Sequence, residues 1–434
     1  MSNVAIGCII LFGSLAAMMI CRLPISFCLG ISSLFTAYYL GIPIMNLFMK
    51  MSTGITSFTF MCVPFFIIMA QIMTDGGISD RLTKFCNVLV GRVRGGTSLV
   101  NCVVSMFLGH ISGSSIADVS SVGSFLIPAM IKEGYDADFS VAVTCTSSVE
   151  GIVIPPSQNM IFYICAAGSG LSISTQFMCG YIPGFLLTFA LCVCCYIISV
   201  KKGYPVSEKK SLKENMKIVK EALIGLVTIV IITGGILGGI FTATEAGAVA
   251  AVYALIVTVF VYKTMNWQKL LKCFIKSLKT LGTIMAIIAT SSAFSYCLSY
   301  LKVPTLVANA LMAITTNPVV GMFLMVIMMI IAGCFMDMGI LIIMLTPIFY
   351  PVAMQYGYNA YHFGMITILA CGMGVLTPPV GTSLWAGCSI AGLPMEKAIK
   401  GFIPFYATYV LVTILIIIFP QISLLLPTAL GYIA

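Results

Sequence analysis

What most restricts this chain is a set of apolar segments too short to cross a bilayer. Residues 97–109, 119–131, 139–154, 157–168, 318–332, 340–353, 363–376 and 380–391 each form an apolar run of 16 residues or fewer. A spanning helix needs about 20. In a chain that is apolar nearly throughout, runs of this length read as re-entrant hairpins and broken helices. Composition leaves them no aqueous home. Of the 434 residues 60% are hydrophobic and 8% charged, and the mean hydropathy is +1.10. A soluble domain carries roughly 25% charged residues. A water-soluble globule of this composition would expose apolar surface far beyond the few hundred Å² that soluble monomers tolerate. The chain therefore reads as an all-α polytopic membrane protein. No polar stretch is long enough for a separate soluble domain, which excludes most enzyme classes and any nucleic-acid module.

The net charge of +9 resides in short connections. Residues 81–94, 201–220 and 263–279 read as basic loops, and together they hold sixteen of the 22 Lys and Arg. The positive-inside rule makes all three cytoplasmic, so 201–220 becomes a cytoplasmic linker. The 17 Cys are scattered through apolar runs without Cys/His metal spacing and read as small apolar side chains. Val4 to Met19, followed by Arg22, lacks a basic n-region and reads as a first span, not a signal sequence.

The chain also repeats itself. Pro155-Pro156 and Pro378-Pro379 are 223 residues apart. Gly134-Tyr135-Asp136 precedes the first pair by 21 residues, and Gly357-Tyr358-Asn359 precedes the second by the same interval. Tyr181-Ile182-Pro183 answers Phe402-Ile403-Pro404 downstream. Residues 1–200 and 221–434 thus read as two repeats. The first holds a hairpin at 97–131 and a broken helix at 139–168. The second holds a hairpin at 318–353 and a broken helix at 363–391. With the basic stretches inside, the two hairpins enter from opposite sides and the repeats are inverted. Secondary transporters commonly follow that plan, with the substrate site at the midplane where broken helices meet.

The chemistry concentrates at the breaks and hairpin tips. A proline inside a helix donates no N–H and clashes with the carbonyl four residues back. Pro155 and Pro156 are expected to free the carbonyls of Gly151 and Ile152. Pro378 and Pro379 are expected to free those of Gly374 and Val375. Such oxygens, in stretches rich in Gly, Ser and Thr, suit a hard cation such as Na⁺. The half-helices restarting at Ser157 and Thr382 turn positive N-terminal dipoles inward, toward a carboxylate. The upstream turns, Gly109 to Asp118 and Gly333 to Gly339, each carry one Asp. A carboxylate at mid-span costs about 2.5–3.5 kcal/mol. Asp118 and Asp337 must therefore face a cavity or a cation, or cap their hairpin helices. Glu150 joins the first cation site or pairs with a polar neighbour. Glu245, at a helix start after a Thr, reads as a helix cap, and His110 as a hydrogen-bonded structural residue. No basic residue lies within an apolar segment, so an anion must be held by dipoles and hydroxyls.

These stretches resemble the large membrane (M, DctM-like) subunit of tripartite ATP-independent periplasmic (TRAP) transporters. SGSSIADVSSVGSFLIPAMIKEGYDADFS, SSVEGIVIPPS, GGILGGIFTATEAGAVAAVYAL and GMGVLTPPVGTSLW carry the resemblance, in order, over nearly the whole chain. It implies an elevator-type ion-transporter fold and Na⁺-coupled uptake in the bacterial cytoplasmic (inner) membrane. It also implies two partners, a small four-helix membrane (Q) subunit on a separate polypeptide and a periplasmic substrate-binding (P) protein. Cation sites then fall on Ser112, Gly113 and Ser114 with Ser147, Ser148 and Gly151, and on Gly333 and Asp337 with Gly374 and Thr377. Ser115, Asp118, Ser157, Gln158, Asn159, Thr382 and Ser383 line the substrate path. Glu150 and the Gln158-Asn159 pair depart from the family pattern, which bears on the substrate.

The reading that results is a permease, not an enzyme. It moves a small organic anion, such as a sugar acid, a C4-dicarboxylate or a sialic acid, with Na⁺ as coupling ion. The absence of a GxxxxGK[ST] motif agrees with gradient coupling. The alternative is a stand-alone Na⁺/dicarboxylate symporter of related fold. An intramembrane aspartyl protease using Asp118 and Asp337 lacks the Gly/Tyr-flanked contexts it would need, and a channel lacks a continuous polar lining.

Overall fold

The computed structural model describes residues 3–21, 23–56, 58–168, 170–206 and 212–433, without the side chains of residues 58, 59, 110–112, 212 and 213. The described residues form twenty-one α-helices. The first five are α1 (Asn3–Ile20), α2 (Ile25–Leu40), α3 (Ile44–Ile55), α4 (Cys62–Asp75) and α5 (Ile78–Val90). The first hairpin follows as α6 (Gly96–Ser112), α7 (Ser115–Ser121) and α8 (Gly123–Lys132). The first broken helix is α9 (Ala137–Val153) and α10 (Gln158–Ala167), and α11 (Ile173–Lys202) closes this half. Then come α12 (Leu212–Leu237), α13 (Ala243–Ile256), α14 (Trp267–Tyr300) and α15 (Val303–Ile314). The second hairpin is α16 (Pro318–Gly333) and α17 (Met338–Gln355), and the second break separates α18 (Ala360–Gly374) from α19 (Thr382–Ala391). The chain ends in α20 (Met395–Ile418) and α21 (Gln421–Ala429).

Local sequence sets these boundaries. Asn317 caps α16 by accepting the N–H groups of Val319 and Val320, with Pro318 at the first helical position. Asn359 caps α18 and Asn266 caps α14 in the same way. Thr242 and Glu245 close a capping box at the start of α13. Seven helices are long and apolar enough to cross a membrane, or up to nine if each bent pair is one span, among the described residues. The bent pairs are α4–α5, at 69°, and α9–α10, at 53°.

The two broken helices occupy the centre. Every residue of α9 from Phe139 to Val153 is buried, although the stretch is rich in Ser and Thr. It packs among α6, α8, α11, α19 and α20, while α18 packs among α16, α17, α11 and α20. Both hairpins rest on these helices through glycine. A Cβ on Gly109 would lie 2.6 Å from the Gly151 Cα, and one on Gly333 would lie 2.7 Å from the Gly374 Cα. Small residues at such crossings let helices approach closely where no hydrophobic effect drives them together. Outside this centre, α14 packs against α2, α3 and α4 on one side and α15 and α17 on the other. Large apolar side chains such as Tyr38, Phe260 and Trp267 are exposed on the outer helices, as a lipid-facing surface requires.

The basic stretches differ from expectation. Residues 81–94, read as a loop, lie largely in α5, which buries Ile78, Leu82 and Cys86 at four-residue spacing beneath its charges. Arg81 stacks over the Tyr262 ring at 3.8 Å. Residues 267–279 form the first turns of α14, where Lys276 pairs with Asp75 at 3.1 Å, and 212–220 begin α12. In α5 and α14 an apolar helical period persists under the basic residues, and net charge conceals it. Cys192 and Cys195 on α11 stand at C-x-x-C spacing, and the Cys195 Sγ lies 3.7 Å from the Cys102 Sγ. All the cysteines are free thiols.

Candidate functional site

The first hairpin turns at Gly113, whose φ of +64° is the left-handed conformation that glycine supplies at helix ends. Ser114 then caps α7 by accepting the Ala117 N–H at 3.4 Å. The second hairpin turns before Asp337, which caps α17 by accepting the Gly339 N–H at 3.3 Å. The two tips, which are far apart in sequence, border one cavity of about 460 Å³. Gly113, Ser114 and Ser115 come from the first tip and Asp337 from the second, and Gln158 and Asn159 come from the first break. The sequence reading missed the opposite wall: Gln71 and Thr74 of α4, with Thr280 and Thr283 of α14. Its only sequence signal is polar residues at helical spacing inside apolar runs.

Both tips are fastened to the breaks, by different means. The Asn159 side-chain amide donates to the Gly113 carbonyl at 3.1 Å. A Cβ on Gly113 would meet the Gln158 Cγ at 2.6 Å, so the tip and the break touch. In the second half the Cys334 carbonyl accepts the backbone N–H groups of Val380 and Gly381, at 3.2 and 3.1 Å. The Pro155–Pro156 and Pro378–Pro379 bonds are both cis.

One expectation is overturned here. The Gly374 and Val375 carbonyls are not free. Gly374 accepts the Thr377 N–H at 2.9 Å, and Val375 accepts the Ser383 N–H at 3.2 Å. The chain turns back at the break, so the Thr377 amide before the prolines and the Ser383 amide after them replace the lost helical donors. Gly151, Gly333 and Gly374 also have a packing role, as backbone contacts between hairpin and broken helix.

Several of the expected residues meet in a hydroxyl cluster. The Ser115 Oγ lies 2.6 Å from the Ser148 Oγ and 2.6 Å from the Ser383 Oγ, joining the first tip to both broken helices. Ser147, adjacent in sequence, points elsewhere. It donates to the Thr144 carbonyl at 3.1 Å and lies 3.3 Å from the Ser105 Oγ, in a network completed by Asn101. Consecutive helical residues are about 100° apart, so one turn serves two environments. Thr377 donates its hydroxyl to the Met373 carbonyl at 2.8 Å. The hydroxyls of Ser157 and Thr382, each beside a helix start, have no partner among the described residues.

Asp118 does not cap its helix, a role Ser114 takes. It is fully buried, as is Glu150, and no carboxylate oxygen of either has a hydrogen-bond partner among the described residues. Neither lines the cavity between the tips. The side chains of His110 and Ser112 lie outside the described residues. Among the described residues no group of three or more His, Cys, Asp and Glu is placed to hold a metal ion.

The α10 helix begins at this cavity, which Gln158 and Asn159 line, and no side chain caps its first turn. A helix N-terminus so placed favours an anion. The volume lies within the range of about 300–1,000 Å³ usual for small-molecule sites.

The sequence matches the family described as tripartite ATP-independent periplasmic transporter, DctM component, over residues 12–422. It is 36% identical over 374 residues to the C4-dicarboxylate TRAP transporter large permease protein DctM of Pseudomonas aeruginosa, covering 86% of this chain and 87% of that protein. It is 34% identical over 384 residues to the sialic acid TRAP transporter large permease protein SiaM of Vibrio cholerae, covering 88% of this chain and 90% of that protein. In fold it resembles the crystal structure of the Alcanivorax borkumensis YdaH transporter, with a TM-score of 0.63 at 13% identity over 86% of this chain and 88% of that one. The relatives are permeases and the helices are long and apolar, so the protein is a multi-pass protein of the inner membrane. This chain belongs to the family of large membrane permeases, the DctM component, of tripartite ATP-independent periplasmic transporters.

Proposed function

We propose that this permease carries a small organic carboxylate inward, driven by Na⁺, and performs no covalent chemistry. The observation that carries the reading is the uncapped N-terminus of α10, opening with Gln158 and Asn159 onto a cavity bounded by both hairpin tips. The substrate carboxylate binds at the α10 start, where dipole and amides substitute for the absent Arg and Lys. A coupling cation is held by oxygen ligands, which hard cations require. At the first hairpin tip these are Ser115 and Ser148 with Ser383 of the second half, and at the second tip Asp337 and Thr377. Because the Gly374 and Val375 carbonyls are already paired, the second site rests on side-chain oxygens. The relatives named for C4-dicarboxylate and sialic acid transport share a carboxylate in their substrates. A soluble binding protein delivers the substrate, and a small membrane subunit completes the permease. Residues 1–200 and 221–434 act as inverted repeats, with the hairpins and broken helices as the moving body.

Proteoliposomes test this. With both partner proteins and an inward Na⁺ gradient, uptake of labelled succinate or sialic acid is expected, and collapse of the gradient abolishes it. Uptake of equal rate without Na⁺, or by this chain alone, overturns the reading. Thr377→Ala is expected to raise the Na⁺ concentration for half-maximal uptake several-fold. An unchanged Na⁺ activation curve would remove Thr377 from the second site.

A further inference from the structure

A second, larger cavity of about 800 Å³ adjoins the one between the hairpin tips. It lies between α3, the last turns of α14 and the end of α10. Phe162 and Ile343 line both cavities and are nearly buried, so they form the partition between them. The α14 surface changes character along this path. Thr280 and Thr283 face the hairpin cavity, Ile284, Ile287 and Ile288 follow, and Ser291, Ser292, Ser295 and Ser299 face the larger space. Positions 292, 295 and 299 share one helical face. The hydroxyls of Ser295 and Ser299 make no side-chain hydrogen bond among the described residues, and Ser292 bonds only within its own helix. Unspent hydroxyls lining a cavity favour water or a polar solute opposite them.

Lys50 of α3 is the one charged residue on this wall among the described residues. Its Nζ sits 5.8 Å from the centre of the Tyr296 ring, also in the lining, and it has no acidic partner among the described residues. The lysines of α14, Lys269 to Lys279, lie at the opposite end of that 34-residue helix. By the positive-inside rule the vestibule opens on the outer side, from which substrate arrives.

We infer that this vestibule is an outer anion-collecting subsite. Lys50 and the α14 hydroxyls hold a carboxylate there before it passes the Phe162–Ile343 partition. That the anion is the transported one rests on the function proposed above; the positive potential of the vestibule does not.

Cys165 lines the same space and is partly exposed, so it reports the local potential. Purified full-length protein in phosphatidylcholine nanodiscs is labelled with an anionic or a cationic methanethiosulfonate, and Cys165 is followed by peptide mass spectrometry. The ratio of the two rates cancels the thiolate fraction. Normalised to a free thiol, the anionic reagent is expected to be favoured about fivefold or more at low ionic strength, where the Lys50 charge is least screened. Lys50→Gln is expected to abolish the preference and Lys50→Arg to keep it. No preference in the wild type, or one untouched by Lys50→Gln, overturns the inference. So does loss of the preference on adding phosphatidylglycerol, which would make a lipid headgroup the occupant. In the reconstituted three-protein system, Lys50→Gln is expected to raise the half-saturating succinate concentration several-fold, with the maximal rate kept. An unchanged half-saturation alongside normal wild-type uptake rejects the subsite. Absence of wild-type uptake rejects the functional reading and leaves the labelling result standing.

Discussion

At the scale of single residues, glycine and serine do the work that charge does in soluble binding proteins. Gly151 and Gly374 bring hairpin and broken helix into backbone contact, and a Cβ on Gly151 would lie 2.2 Å from the Ser105 carbonyl oxygen. Gly151→Ala is expected to lower stability by about 1–3 kcal/mol through overpacking. Gly282→Ala, where a Cβ meets nothing within 4 Å on helix α14, is expected to be neutral or to gain up to about 1 kcal/mol. Thermal unfolding in one detergent compares the two, and equal effects would show that close approach is not what these glycines serve. Ser115→Ala removes the hydroxyl that joins Ser148 to Ser383. Ser148 keeps its bond to the Cys145 carbonyl, but Ser383 is left buried without its partner. A loss of about 1–3 kcal/mol is expected. The sequence identified Ser115, Ser148 and Ser383 one by one as polar groups at depth. It assigned Ser148 to a cation and the other two to substrate, because bonds between residues 33 and 268 apart have no local signature.

At the scale of elements, the two hairpins are held unequally. The first tip is tied by the Asn159 side chain and the second by backbone amides that only proline would remove. Asn159→Ala is therefore expected to raise amide hydrogen exchange around residues 113–117 and leave 334–339 unchanged. Equal protection in both variants would show that the amide does not hold the tip. The start of α9 is tied to the end of α11, where Lys202 pairs with Asp136 and the Tyr204 hydroxyl donates to it at 2.8 Å. Lys202 and Tyr204 hold the Asp136 carboxyl below its ordinary value. A carboxyl depressed in the folded state stabilises above its unfolded pKa of about 3.9, and that contribution is lost as pH falls through the lower folded value. The stability difference between wild type and Lys202→Met is thus expected to be constant near neutrality, to begin falling at about pH 4 and to vanish only below the depressed folded-state value. A difference that persists in acid would point to packing and not charge. The pair is half-exposed, so the effect is small.

At the scale of the whole molecule, the arrangement of the halves decides which side each hairpin enters. If the repeats are inverted, single tags at Gly203 and Lys272 react only from the cytoplasmic side, and a tag at Asn317 only from the outside. An impermeant reagent on oriented vesicles checks this, and labelling of 203 and 317 from one face would rule out inversion. Much of the element order was legible in sequence because it is local chemistry. Short apolar runs, prolines, glycine turns and Asn or Thr caps act within a few residues. By themselves these determined an all-helical membrane protein with two hairpins and two broken helices. They did not reveal that the basic stretches are helical, since charge outweighs a buried period in any local average. Nor did they reveal that the carbonyls of Gly374 and Val375 are paired, since the path of the chain through the break decides which amides reach them. Tertiary structure alone decided that both tips meet at one cavity, that α4 and α14 close it, and that Phe162 and Ile343 divide it from a second cavity. A cavity is a relation among surfaces from distant helices, and packing creates that relation only when the whole chain is assembled.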